Sequence, residues 1–307
     1  MAHVPTPPAT NGPAKPALVS TVFWNSAPDQ ARRKLVEDIG KALAAGAYKT
    51  PVLPEAAVEA LKLVRNPLAS MERIERLIQS DPPLTAKLLS LANSPMFRGS
   101  EPFQSLRAAL VRLGLEQTRE ILGQAVLASH VFDVQQYRGW MADLAMESAG
   151  IAVAASDLAD QSGTGEAYAF LAGLLHDLGM AILLHVISKN PVGLAAPEAV
   201  VREIVDEQHG HAGQLAARKM RLAEPLICAI ARHHEWSATA ASDEPAALVS
   251  LARRLWACSA SPDSTVDPEW PELPALNLVE PQVRQVLARL MTVRPRLASA
   301  GVALQAA

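Results

Sequence analysis

The 307 residues are half apolar, carry 28 basic against 31 acidic side chains for a formal charge of −3, and include two cysteines. That balance leaves no electrostatic footprint for nucleic acid, and two cysteines are too few for a disulfide framework or a thiolate zinc site. The length suffices for one large or two modest domains with an ample core.

The chain opens with Pro5, Pro7, Pro8, Pro13, Pro16 and Pro28 among small residues. Residues 1–28 are therefore expected to form a flexible tail with no readable signal peptide. Its large apolar group, Val22-Phe23-Trp24, suits a short anchor. A leading helix is expected over 29–47, where Leu35, Val36, Ile39, Ala42 and Leu43 share a face and Gly46 supplies the stop.

Helical signals then follow one another. Pro54-Glu55 opens a helix, Ser70 caps the next, and Asp81-Pro82-Pro83 is an N-cap aspartate followed by proline at the first helical position. Ser105 starts a helix that ends near Gly114, and another runs from Leu115 to about His130. Further helices are expected at about 140–160, 166–187, 198–208, 211–220, 223–234 and 244–258. Cys228 and Cys258 lie in these apolar helices and read as buried free thiols. A loop with Pro262, Pro268, Pro271 and Pro274 leads to a last helix from Pro281 to about Val293. Strand-like alternation is absent from the pattern, so the class is all-α.

Two stretches invite functional readings that the residues do not support. The pair flanking Gly114 resembles a helix-turn-helix, but its second helix offers only Arg119 as a base-reading cation. The longest apolar run, Ala167 to Ile187, is interrupted by His176, Asp177 and His185, so it reads as core and not as a membrane span. A cytoplasmic protein is expected.

His176-Asp177 is the most informative pair in the chain. A histidine and an aspartate within an apolar helix are costly to bury unless something pairs with them, and a metal ion is the obvious partner. Around this doublet the chain resembles a known family. The resemblance is carried by Pro51-Val-Leu-Pro54, Ser80-Asp-Pro-Pro-Leu-Thr-Ala-Lys-Leu-Leu-Ser-Leu-Ala-Asn-Ser94, Ser105 through Leu115, Gly173-Leu-Leu-His-Asp-Leu-Gly179, His211-Ala-Gly and Ala229-Ile-Ala-Arg-His-His234. These segments are similar to the HDOD (HD-related output domain) family of bacterial signalling proteins. The resemblance spans roughly 48–258 and implies an N-terminal helical lobe, 48–139, packed on an HD-superfamily lobe, 140–258. Residues 259–307 follow as a proline-rich loop and C-terminal helix.

The resemblance also says what a catalytic HD centre needs: a histidine on one helix, the His-Asp doublet, and a later aspartate. Here Glu147 stands where the first histidine belongs, with Asp143 one turn before it, and Arg253 stands where the last aspartate belongs. Arginine offers no lone pair and stays charged. His211, His233 and His234 fall where metal-rich relatives carry extra histidines, whereas His209 is expected before the helix, at the surface. The site is thus expected to be degenerate: Asp143, Glu147, His176, Asp177, His211, His233, His234 and Arg253 without a catalytic residue. No cofactor is expected; a retained divalent metal would use His176, Asp177, His211, His233 and His234. Arg253 either replaces the missing cation by pairing with Asp177, Glu147 or Asp143, or snorkels to solvent.

The functional expectation is a non-catalytic regulatory module acting through a protein partner, with no nucleic acid and no membrane span. Two alternatives stand beside it. One is a metal-dependent phosphohydrolase acting on a nucleotide or phosphodiester; the other is a sensor whose vacated metal pocket binds a nucleotide or other anion. The residues after Glu235 lack the Gly-Tyr-Pro segment of cyclic-di-GMP hydrolases.

Overall fold

In the computed structural model, which describes residues 24–48, 55–64, 66, 68–93, 103, 105–126, 134–165, 168–238 and 241–306, every regular element is helical. α1 (Pro28–Ala44) buries Leu35, Ile39 and Leu43 as their spacing requires. α2 (Glu55–Leu63) precedes α3 (Met71–Gln79), which starts on Ser70: its hydroxyl accepts from the Arg73 amide at 3.4 Å. α4 (Pro82–Ala92) starts on Asp81, whose Oδ1 accepts from the Leu84 amide at 3.1 Å. α5 (Leu106–Val126) runs through a kink at Gly114, where φ is 70° and ψ 175°.

α6 (Arg138–Ser162), α7 (Ala169–Leu175), α8 (Leu178–Lys189), α9 (Glu198–Lys219), α10 (Glu224–Arg232) and α11 (Glu244–Cys258) follow. α1 lies against α8 and α9, fastened by Arg32 to Glu207 at 2.9 Å and by the Trp24 indole N–H to the Val192 carbonyl at 2.7 Å. α12 (Glu280–Ala306) packs along α6 and also touches α4, α5 and α11. Residues 1–23 of the expected tail, Val22-Phe23 included, lie outside the described residues, whereas residues 24–26 and 28, expected to be flexible, are helical and Trp24 is buried.

Four expectations need correction. The run expected as one helix over 166–187 is two, broken at the polar doublet. The two helices expected on either side of His209-Gly210 are one, α9. Gly210 serves close packing there: a Cβ would lie 3.0 Å from the Ala231 carbonyl oxygen of α10. The last helix continues through Pro295 to Ala306. Cys228 and Cys258 are free but only half-buried.

The two discarded readings also meet the structure. Arg119 is buried and donates to Ser156 Oγ and Asp157 Oδ1, each at 3.3 Å, so it faces inward and not toward a DNA groove. The stretch Ala169–Lys189 is long and apolar enough to cross a membrane by composition, with mean hydropathy 1.9, yet 83% of its window is buried inside the fold.

Charge pairs seal α12 to α5 and α6. Arg296 meets Glu120 at 2.8 Å, and Arg289 meets Asp157 at 2.6 Å and Glu116 at 2.9 Å. Burial pushes the Glu120 carboxyl up to about 7, outweighing the pull of Arg296 and Arg289. The folded state therefore keeps this proton to a higher pH than the unfolded chain, whose value is near 4.5. Stability is expected to fall as pH rises between those limits and to level off above them. Denaturant titrations across pH should show this slope, and Glu120→Gln should flatten it. Arg296→Ala, which strands a buried carboxylate, should cost about 3 kcal/mol at pH 8 in the same experiment.

Candidate metal centre

The doublet occupies a turn, not a helix face. α7 stops at Leu175, and α8 begins at Leu178 after Asp177 adopts φ −98°, ψ 23°. His176 is 1% and Asp177 4% exposed. Two residues on, α8 meets α9 backbone to backbone. A Cβ on Gly179 would lie 1.8 Å from the His209 carbonyl oxygen and 2.6 Å from the Gly213 nitrogen. This crossing sets His209 beside Asp177. His233 and His234 arrive from the end of α10.

Each buried imidazole is aimed by its own helix. Nδ1 of His176 donates to Gly173 O at 2.8 Å, Nδ1 of His209 to Asp206 O at 3.0 Å, and Nδ1 of His233 to Ala229 O at 3.1 Å. A carbonyl only accepts, so each Nδ1 carries a proton; in the neutral ring that leaves Nε2 as a lone pair. The Nε2 atoms converge on one carboxylate. His176 Nε2 is 3.0 Å from Asp177 Oδ2, while Asp177 Oδ1 lies 3.2 Å from His233 Nε2 and 3.6 Å from His209 Nε2. The latter two nitrogens are 3.4 Å apart.

Electrostatics keeps these groups in ligand form. Burial would raise the Asp177 carboxyl, but the His176 and His233 imidazoles facing it hold it well below the ordinary carboxylate range. Burial foremost pushes His233 down to about 4; burial and then Arg253 push His234 down to about 3. Both rings are neutral at pH 7.

Such a cluster fits a divalent ion. Two ligands around an ion with bonds of about 2.1 Å at tetrahedral angles stand about 3.4 Å apart, close to the separations among Asp177, His209 and His233. His176 Nε2 and Asp177 Oδ1 are buried without a hydrogen-bond partner, a costly state unless positive charge stands between them. Asp177, His209, His233 and His234 keep their donor atoms within 4.8 Å of one another, a set that could hold such an ion. The backbone carbonyls behind the rings give the outer support such ligands need.

The structure sorts the expected site residues. It brings together His176, Asp177, His233 and His234, with Arg253 at the edge. Asp143 is exposed, and Glu147, half-buried, stays out of the donor group. His211 is exposed, because two residues turn it about 200° away from His209. His209 replaces it, buried and not at the surface. The signal for His209 was the buried stripe Val201, Val205, His209, Ala212 and Ala216, which a helix break assumed at Gly210 obscured. Arg253 forms no ion pair with Asp143, Glu147 or Asp177 among the described residues; its Nη1 donates to His234 Nδ1 at 3.2 Å. Nor does it simply reach solvent, since its Nε is buried without a hydrogen-bond partner.

The crossing yields a prediction. Gly179→Ala must push α8 from α9, costing about 3 kcal/mol in denaturant unfolding. Any metal affinity should fall with it, because His209 moves away from Asp177.

Comparison with known proteins agrees with this architecture. A family model described as the HDOD domain matches residues 50–236. An uncharacterized protein of Treponema pallidum (strain Nichols) is 26% identical over 193 residues, 60% of this chain and 37% of that protein. The chain thus spans well under half of that relative's length. Among solved structures, an HDOD domain protein of unknown function from Geobacter sulfurreducens superposes with a TM-score of 0.59 at 19% identity, covering 87% of this chain and 98% of that one. A candidate signal transduction protein from Marinobacter aquaeolei VT8 gives 0.58 at 18% identity, covering 90% and 66%. A candidate phosphohydrolase from Shewanella amazonensis SB2B gives 0.55 at 21%, covering 87% and 98%. At these identities the likeness is one of fold.

Proposed function

This chain belongs to the HDOD domain family, and we propose that it is a non-catalytic regulatory module of bacterial signal transduction, cytoplasmic and acting through a protein partner. The observation that carries this reading is the make-up of the cluster. Its donor group contains a single carboxylate, Asp177, while the α6 carboxylates Asp143 and Glu147 stay outside. Where the cluster reaches solvent, at His234, Arg253 covers the ring nitrogen. A hydrolytic centre needs an open position for water and a base beside it. Here the carboxylate is itself a ligand and the accessible edge carries a cation.

The donor set still fits a metal. Asp177, His209 and His233 would hold it, with His176 beside them and His234 at the rim. A bound ion would supply Lewis acidity and a more acidic water. This chain's residues would hold its ligands in the right tautomer and present one negative charge to it.

That fit favours a second reading, a metal-dependent phosphohydrolase acting on a nucleotide or phosphodiester. Arg253 beside the cluster likewise suits a third, a sensor that binds a nucleotide or other anion. Metal analysis of the purified chain, with hydrolysis assays on nucleotides and phosphodiesters across Mg²⁺, Mn²⁺ and Fe²⁺, separates them. The regulatory reading expects no turnover with any ion. Stoichiometric metal together with turnover abolished by His176→Ala would overturn it.

A further inference from the structure

The buried members of the cluster, Asp177, His209 and His233, present donor atoms to one another, whereas His234 is exposed. Arg253, from α11, stands over that exposed member with Nη1 3.2 Å from His234 Nδ1. A guanidinium only donates, so His234 Nδ1 is the acceptor. In the neutral ring the proton then sits on Nε2, and both nitrogens of His234 are committed.

The arginine is well placed to stay there. Its neighbour Arg254 reaches the fully buried Glu272 at 3.0 Å, and Ser250, one turn earlier, donates to the same carboxylate oxygen at 2.9 Å. These bonds tie α11 to the segment after it and hold the register that carries Arg253 to the cluster. Because no carboxylate pairs with Arg253 among the described residues, its charge faces the imidazoles without a counter-ion.

We propose that Arg253 is a built-in competitor for metal at this centre. It withholds His234, so a divalent ion is left with Asp177, His209 and His233, and its fixed charge weakens the ion's hold. The bound ion is therefore exchangeable. The proposal rests on reading the cluster as a metal centre, and the following experiment separates the two claims.

Co²⁺ is titrated into the full chain, read by its visible absorption and by calorimetry, with thermal melts to confirm folding. Arg253→Met keeps the apolar stem but removes charge and donor; it should tighten Co²⁺ binding roughly tenfold or more and change the absorption as a further nitrogen ligand joins. The double variant with His234→Ala should lose much of the tightening that Arg253→Met produces. If Arg253→Met binds no tighter while His233→Ala abolishes binding, the metal centre stands and the role of Arg253 is wrong. If His234→Ala weakens the wild type, His234 is already a ligand and the proposal is overturned. Failure of wild type and Arg253→Met alike to bind Co²⁺ at millimolar concentration sinks both claims.

Discussion

Where α8 crosses α9, the backbones touch through Gly179 and Gly213, and that contact brings the buried Asp177 carboxylate within 3.6 Å of His209 Nε2. The rest of the centre depends on this approach. A side chain at position 179 would separate the helices, and His209 would leave the carboxylate. The other rings then fall into place from short-range geometry, because each uses Nδ1 to bond a carbonyl three or four residues earlier and turns Nε2 toward the same spot. Close packing and local hydrogen bonding together make a set of converging lone pairs.

The molecule treats its buried charges in two ways. At the α12 seam, Glu120 and Asp157 each meet a guanidinium, which ties α12 to α5 and α6. At the cluster, Asp177 has no arginine partner among the described residues, and the nearby Arg253 addresses an imidazole. The first arrangement sets each buried carboxylate against a guanidinium. The second is completed only by protons or by an ion among the nitrogens.

Much of the fold was legible along the chain. Ser70 and Asp81 cap helices with their own side chains, and Gly114 bends the helix at the point its sequence suggests. Misreadings arose where one residue type serves two purposes. Gly210 resembles a helix stop but permits contact with α10. The apolar run around His176-Asp177 has the periodicity of one helix, yet the chain breaks at the doublet. Asp143 and Glu147 lie on the α6 that the family pattern points to but stay out of the donor group, because sequence alignment does not set a side chain's direction.

The sequence by itself determined the all-helical class, the family, the helix starts and the gathering of His176, Asp177, His233, His234 and Arg253 in one part of the fold. Those features follow from capping, periodicity and local order, which act over a few residues. Only the tertiary structure decided that His209 joins the cluster in place of His211, that Glu147 does not, and that Arg253 meets an imidazole. Donor atoms from separate helices converge only when helix crossings set their distances, and those crossings depend on contacts between residues far apart in the chain.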